Sequence, residues 1–292
     1  MLGLKPNTSQ FMFERSEQRQ IEHLLAPISI AADNEAALRI QTLGGFRVWC
    51  QDVEIPPTGW GREKAIHLFQ FFITMRRQFV HKEQIIDRLW PEMTSDKGDR
   101  DFKVALNALN KTLEPQRNAR AEARFTVRYG LAYGLDFEQL WLDADRFERL
   151  VTAGNQALLA PERDLATAIA CYRAAVELYH GDYLPERRYE DWSSAERERL
   201  QLLALNTMTT LAELLLAHLP LESLRLAQRV LAIDSVWEDA YRVQMRAFAA
   251  QRNRPMALKT YETCVAVLER EFGVEPLPET TELYEAILRD ER

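Results

Sequence analysis

Residues Asp99–Leu113 read DRDFKVALNALNKTL, and the apolar side chains Phe102, Leu106, Leu109 and Leu113 recur at i, i+4, i+7 and i+11. That spacing returns to one side of a 3.6-residue helix, so the stretch is a helix with one face in a core. Asp99 or Asp101 is placed to cap it, and Pro115 ends it. The stripe leaves Arg100, Lys103, Asn107, Asn110 and Lys111 on the other faces. Arginine and lysine grip phosphates or guanine edges, and asparagine pairs with adenine through two hydrogen bonds, which is the chemistry of a helix lying in the major groove of DNA. An ordinary solvated helix face carries the same residue types, so the surrounding text has to decide between the two.

On the amino-terminal side, Leu38, Ile40, Leu43, Phe46, Val48, Val53 and Ile55 form short strand-like runs divided by Gly44-Gly45 and Pro56-Pro57, which predicts a small antiparallel sheet. Arg62 to Arg76 carries Ala65, Ile66, Leu68, Phe69, Phe72 and Ile73 at helical spacing, and Lys82 to Trp90 carries Ile85, Ile86 and Leu89 before Pro91. On the carboxyl side, Phe125, Val127 and Tyr129 alternate between polar residues up to Gly130 and Gly134, the pattern of a closing β-hairpin over Arg124 to Leu135. A sheet, three helices and a terminal hairpin in about a hundred residues are the parts of a winged helix. In such a fold Arg124 and Arg128 of the hairpin lie beside a neighbouring phosphate strand or minor groove, and Arg76 and Arg77, after the first helix, support the grip from the turn.

Beyond Asp143 the periodicity is helical throughout, at roughly 145–158, 162–180, 190–218, 222–233, 237–251, 255–272 and 278–290. Helix pairs at this spacing cannot bury their apolar faces singly and therefore stack as repeats. The expected fold class is mainly α: a winged helix-turn-helix (α+β) domain over 37–136, then an all-α tetratricopeptide-like repeat domain over 142–292. Residues 1–36, with only short apolar clusters between Pro6 and Pro27, read as an N-terminal tail or accessory arm.

The formal net charge of −7 would repel nucleic acid if it were spread evenly, but it is not: residues 37–135 sum to +5 and residues 136–292 to −10. One half suits a polyanion and the other a different partner. Cys50, Cys171 and Cys264 are far apart with no CxxC spacing, which implies neither a disulfide framework nor a zinc site, and no metal is expected. The charged first thirty residues do not read as an export signal, and the most apolar stretch, Leu202 to Leu221, is interrupted by Asn206, Glu213 and His218. The expectation is a cytoplasmic protein with no membrane partner. No HExxH, GxxxxGK[ST] or GxSxG motif is present, so no enzyme and no catalytic residues are expected.

The strings LRIQTLGGFRV, HKEQIIDRLWPE and FKVALNALNKTL, and later AIACYRAAVELYHGDYLPE, DWSSAERERLQLL and EREFGVEPLPET, resemble the bacterial SARP-type regulators from Leu38 to the end. These join an OmpR-like winged helix to a bacterial transcriptional activator domain of tetratricopeptide type. The resemblance implies binding of double-stranded promoter DNA by the helix around Arg100 to Lys111, and recruitment of RNA polymerase or another transcription factor by the helical half. Binding as a homodimer on tandem half-sites is in keeping with it. A rival reading comes from Arg15 and Arg19, whose RxxxR spacing resembles the anchor of PilZ cyclic di-GMP receptors; Arg252 and Arg254 form a second arginine cluster. On that reading the chain is a cyclic di-GMP receptor or adaptor that gates a partner transcription factor, with the second messenger as its ligand.

Overall fold

The computed structural model describes residues 36–76, 78–118 and 121–289. They gather into two compact units, one made of residues 36–147 together with 178–201, the other of 148–177 together with 202–289.

Alternation builds the sheet of the first unit. Along β1 (Leu38–Gln41), Leu38 and Ile40 are fully buried while Arg39 between them is exposed, the two-residue period of a strand with one face on a core. β2 (Arg47–Cys50) pairs antiparallel with β1, setting Arg39 opposite Trp49 and Gln41 opposite Arg47. β3 (Val53–Glu54) extends the sheet at one edge. Two short elements then complete its other edge and a second sheet: β7 (Leu140–Leu142) returns to lie parallel to β1, giving the order β3-β2-β1-β7, while β4 (Val80–His81) pairs with the far strand of the hairpin. That hairpin, β5 (Thr126–Tyr129) and β6 (Ala132–Leu135), stands where the alternation puts it.

The three helices also stand where the periodicity puts them: α1 (Glu63–Thr74), α2 (Lys82–Leu89) and α3 (Ser95–Leu113). Only the start of α3 differs. It begins after Thr94, a turn before the expected cap, and Asp99 and Asp101 lie inside the helix. Their carboxylates are taken by lysines, Lys82 for Asp99 at 2.8 Å and Lys64 for Asp101 at 2.6 Å, and so do not bind the helix's free backbone N–H groups. Gly98 belongs to this early turn; a Cβ there would stand 2.5 Å from Ile86 Cγ2, so its bare Cα lets α2 and α3 close on each other.

Residues 178–201 cover the outer side of α1. Tyr183 bridges to Leu43, Leu184 N–H donates to the Thr42 carbonyl at 2.9 Å, and Gly44 N–H donates to the Asp182 carbonyl at 2.9 Å. Gly44, at φ +84°, approaches so closely that a Cβ would lie 2.8 Å from the His180 carbonyl carbon. Further along, Trp192 packs edge-on to Phe71 with ring centres 5.7 Å apart. Buried Gln70 donates to Glu186 at 3.0 Å and accepts from Arg187 at 2.7 Å. Apolar on nearly every side, α1 is thereby buried on nearly every side.

The second unit is helical. It holds the later part of α4 (Asp143–Leu159), α5 (Leu165–Leu178) up to residue 177, α6 (Asp191–Leu215) from residue 202, and then α7 (Pro220–Ile233), α8 (Glu238–Ala250), α9 (Arg254–Phe272) and α10 (Pro278–Arg289). From α7 onward each helix packs on the next, the arrangement of stacked helical repeats. Tyr241, Cys264 and Leu268 close one apolar layer with Leu231 and Val236. Met245, Ala257 and Ile287 close the next, where Tyr261 and Tyr284 stack at 4.1 Å. Asn253 caps α9, and Gly273, left-handed at φ +66°, ends it. Among the described residues no helix is long and apolar enough to cross a membrane, and no three His, Cys, Asp or Glu side chains gather as metal ligands.

Candidate nucleic-acid interface

On α3 the core side is taken by Phe102, Ala105, Leu109 and Leu113, all almost fully buried. The opposite side is open: Arg100, Lys103, Asn107 and Lys111 are exposed, and Val104 among them is 42% exposed. At about 100° per residue these five fall within an arc of about 100°, a single face. Lys97, also exposed, stands at its edge one turn earlier.

The electrostatics of this face are set from behind it. α3 contains Asp99 and Asp101 beside its cations, but Lys82 and Lys64 bind both, and each lysine's hydrogen bond holds its aspartate below the usual carboxylate range. Asp96 remains in the first turn, where the positive end of the helix favours an acid. Arg100 leans back to the Asp96 carbonyl at 3.3 Å, whereas Lys103 and Lys111 project into solvent.

Asn110 is placed differently from its expected outward position. It is 7% exposed and accepts a 2.8 Å hydrogen bond from the Thr126 hydroxyl, tying the last turn of α3 to β5. The turn of helix that carries it faces the hairpin, so an amide there is a fastening. Phe102 meets Tyr133 of β6 edge-on at 4.8 Å and fixes α3 to the hairpin's other strand about two turns earlier in the helix. The orientation of the exposed face is thus set by buried contacts on its back.

In the hairpin, Gly130 at φ +60° makes the tight turn, and Tyr129 and Leu131 beside it are 76% and 50% exposed. Phe79, itself half exposed, lies 5.7 Å from Tyr129 and props the tip. Arg128 is exposed, with Nε donating to the Gly130 carbonyl at 2.7 Å and its guanidinium 5.6 Å from the Tyr133 ring. Arg124 stands at the hairpin's root, over the Phe125 ring and bonded to Gln139.

Arg76 does not reach this surface. Its side chain is 12% exposed and is held by Asp145 and Glu196, because residues 178–201 close over the end of α1. Arg77, Arg15 and Arg19 lie outside the described residues. Of the second arginine cluster, Arg252 is exposed in a turn with φ +58°, and Arg254 donates to the carbonyls of Ile287 and Leu288, capping the last helix. The structure thus brings Arg100, Lys103, Asn107 and Lys111 together. It adds Lys97, which the misplaced cap had excluded from the helix, and Lys64 and Lys82, whose pairing with α3 acids at long range leaves no trace in local spacing.

Residues 142–288 match the family described as the bacterial transcriptional activator domain, which is half of the chain. Among solved structures, Mycobacterium tuberculosis EmbR in complex with a low affinity phosphopeptide superposes with a TM-score of 0.74 at 20% identity, over 87% of this chain and 66% of that one. At that identity the likeness is one of fold, and this chain spans just under two thirds of the EmbR chain's length. No curated protein sequence matches the chain. A mainly helical chain with a small amino-terminal sheet region, matched over half its length by this activator domain, belongs to the bacterial transcriptional activator domain family.

Proposed function

We propose that this chain is a transcription regulator of the SARP type and that it binds promoter DNA through α3. Arg100, Lys103, Asn107 and Lys111 form the groove face, with Lys97 at its edge. Arg100 and Asn107 read base edges, and the lysines bind flanking phosphates. The hairpin follows the neighbouring backbone with Arg128 and Tyr129 at its tip and Arg124 at its root. Asn110 acts from behind by fixing α3 on the hairpin. The acidic helical half takes the protein partner, RNA polymerase or a second regulator, since its charge keeps it off the duplex.

The observation that carries this reading is the gathering of three cations and an amide on one exposed face of a helix whose own acids at 99 and 101 are bound by lysines from other elements. Selection of bound fragments from total genomic DNA by the full chain tests it, followed by titration of a selected site. Arg100→Ala is expected to cost about 1–3 kcal/mol of affinity and to relax preference at one base position. Selection that enriches no sequence over bulk DNA would refute the specific part of the reading.

A further inference from the structure

The four-stranded sheet buries Leu38, Ile40, Val48 and Leu142 on one face, and its other face carries large polar and aromatic side chains. Backbone pairing sets Glu54, Trp49, Arg39 and Trp141 side by side across β3, β2, β1 and β7. The Arg39 guanidinium lies 4.4 Å from the centre of the Trp49 ring, and that of Arg47 lies 4.8 Å from the same ring. Together with Trp141 and His180 these residues border an open cavity of about 240 Å³, all within one compact unit.

The charged groups around this cavity are not equally available to a ligand. Arg47 is held by Glu54 through two bonds of 2.8 and 2.6 Å. Arg39 is exposed and has no carboxylate partner among the described residues. Asp143 borders the cavity too, but its oxygens accept from the Thr42, Leu43 and Ala144 N–H groups and the Thr42 hydroxyl, so its hydrogen-bonding capacity is used inward. What remains toward solvent is a guanidinium over one indole, a second indole two strands away and an exposed imidazole. A positive charge beside a flat apolar wall suits a ligand that is itself a flat ring carrying an anion.

We propose that this cup on the outer face of the sheet binds a nucleoside monophosphate, with the base against Trp141 and the phosphate at Arg39, where His180 stands at the rim. At about 240 Å³ the cavity lies below the roughly 300 Å³ at which most ligand pockets begin, so it takes no more than a single nucleotide, part of which stays in solvent on the open side. Inorganic phosphate alone would leave the indole unused, and a nucleoside alone would leave Arg39 unanswered. None of these residues belongs to the α3 face or the hairpin, so the site is independent of the DNA reading.

Calorimetric titration of the full chain with GMP and AMP, and with guanosine and inorganic phosphate as half-ligands, tests the site. The expected result is saturable binding of a nucleoside monophosphate at one per chain, with each half-ligand weaker by about tenfold or more. Arg39→Gln and Trp141→Leu should each weaken it by about tenfold, while Trp141→Phe, which keeps a flat ring, should stay within about threefold. Arg39 is exposed, so Arg39→Gln is expected to keep the parent melting temperature and carries the test even if Trp141→Leu does not fold. No saturable binding of either nucleotide would overturn the proposal. So would parent-like binding by Arg39→Gln, or inorganic phosphate binding as tightly as GMP.

Discussion

Asn110 and Arg76 are both polar residues that local periodicity places outside and long-range packing turns inward. Asn110, 7% exposed, accepts from the Thr126 hydroxyl, so Asn110→Ala leaves a half-buried hydroxyl without its partner. A loss of about 1–3 kcal/mol in urea unfolding is expected; a variant as stable as its parent would contradict the inward placement. His67 makes a second residue-scale prediction. Burial, ahead of the nearby Arg187, holds its imidazole below the ordinary value of 6.5, while Glu190 at 3.1 Å pulls the other way. The unfolded chain therefore takes up a proton that the folded chain resists, and the stability present above pH 6.5 is lost as pH falls through that value toward the lower folded one. The urea midpoint should fall over this window in the parent and fall less in His67→Gln; identical pH slopes would show that His67 is not the group responsible.

At the scale of elements, the long periodic helices and the strands with room to alternate were legible in the sequence, and two of the shortest paired strands were not. Every helix from α1 to α10 stands within a few residues of its apolar pattern, because a stripe repeated over three or more turns is a strong local signal. β4 and β7, with two and three residues, have no room for alternation and exist only through partners 53 and 102 positions away in register. The cover over α1 left one overlooked trace: Phe71 extends its apolar surface beyond a single stripe, which calls for a second layer, here Trp192. The same cover traps Arg76 between Asp145 and Glu196, all three side chains under one fifth exposed. Arg76→Met would leave two carboxylates facing each other without the cation between them, and a destabilisation of about 3–5 kcal/mol is expected in thermal or urea unfolding. A shift below 1 kcal/mol, the range of exposed pairs, would mean that the cluster is open to solvent.

For the whole molecule, the net charge of −7 divides into −2 over residues 1–36, +5 over 37–135 and −10 over 136–292, and the exposed face of α3 carries Arg100, Lys103 and Lys111 from the basic segment. Which residues form that face was legible for Arg100, Lys103, Asn107 and Lys111, since it follows from where the apolar stripe is not. Why the face is positive was only partly legible, because the lysines that bind Asp99 and Asp101 come from α1 and α2. The central claim is most directly tested by titrating a selected DNA site with the full chain over a range of salt concentrations, beside the Lys103→Glu, Lys111→Glu double variant. If α3 lies in the groove, the variant loses at least about a hundredfold in affinity and its log-log salt slope falls by about two, one for each lost phosphate contact, with an unchanged melting temperature. Parent affinity and parent slope in the folded variant would contradict that assignment and move the DNA contact, if there is one, off this helix.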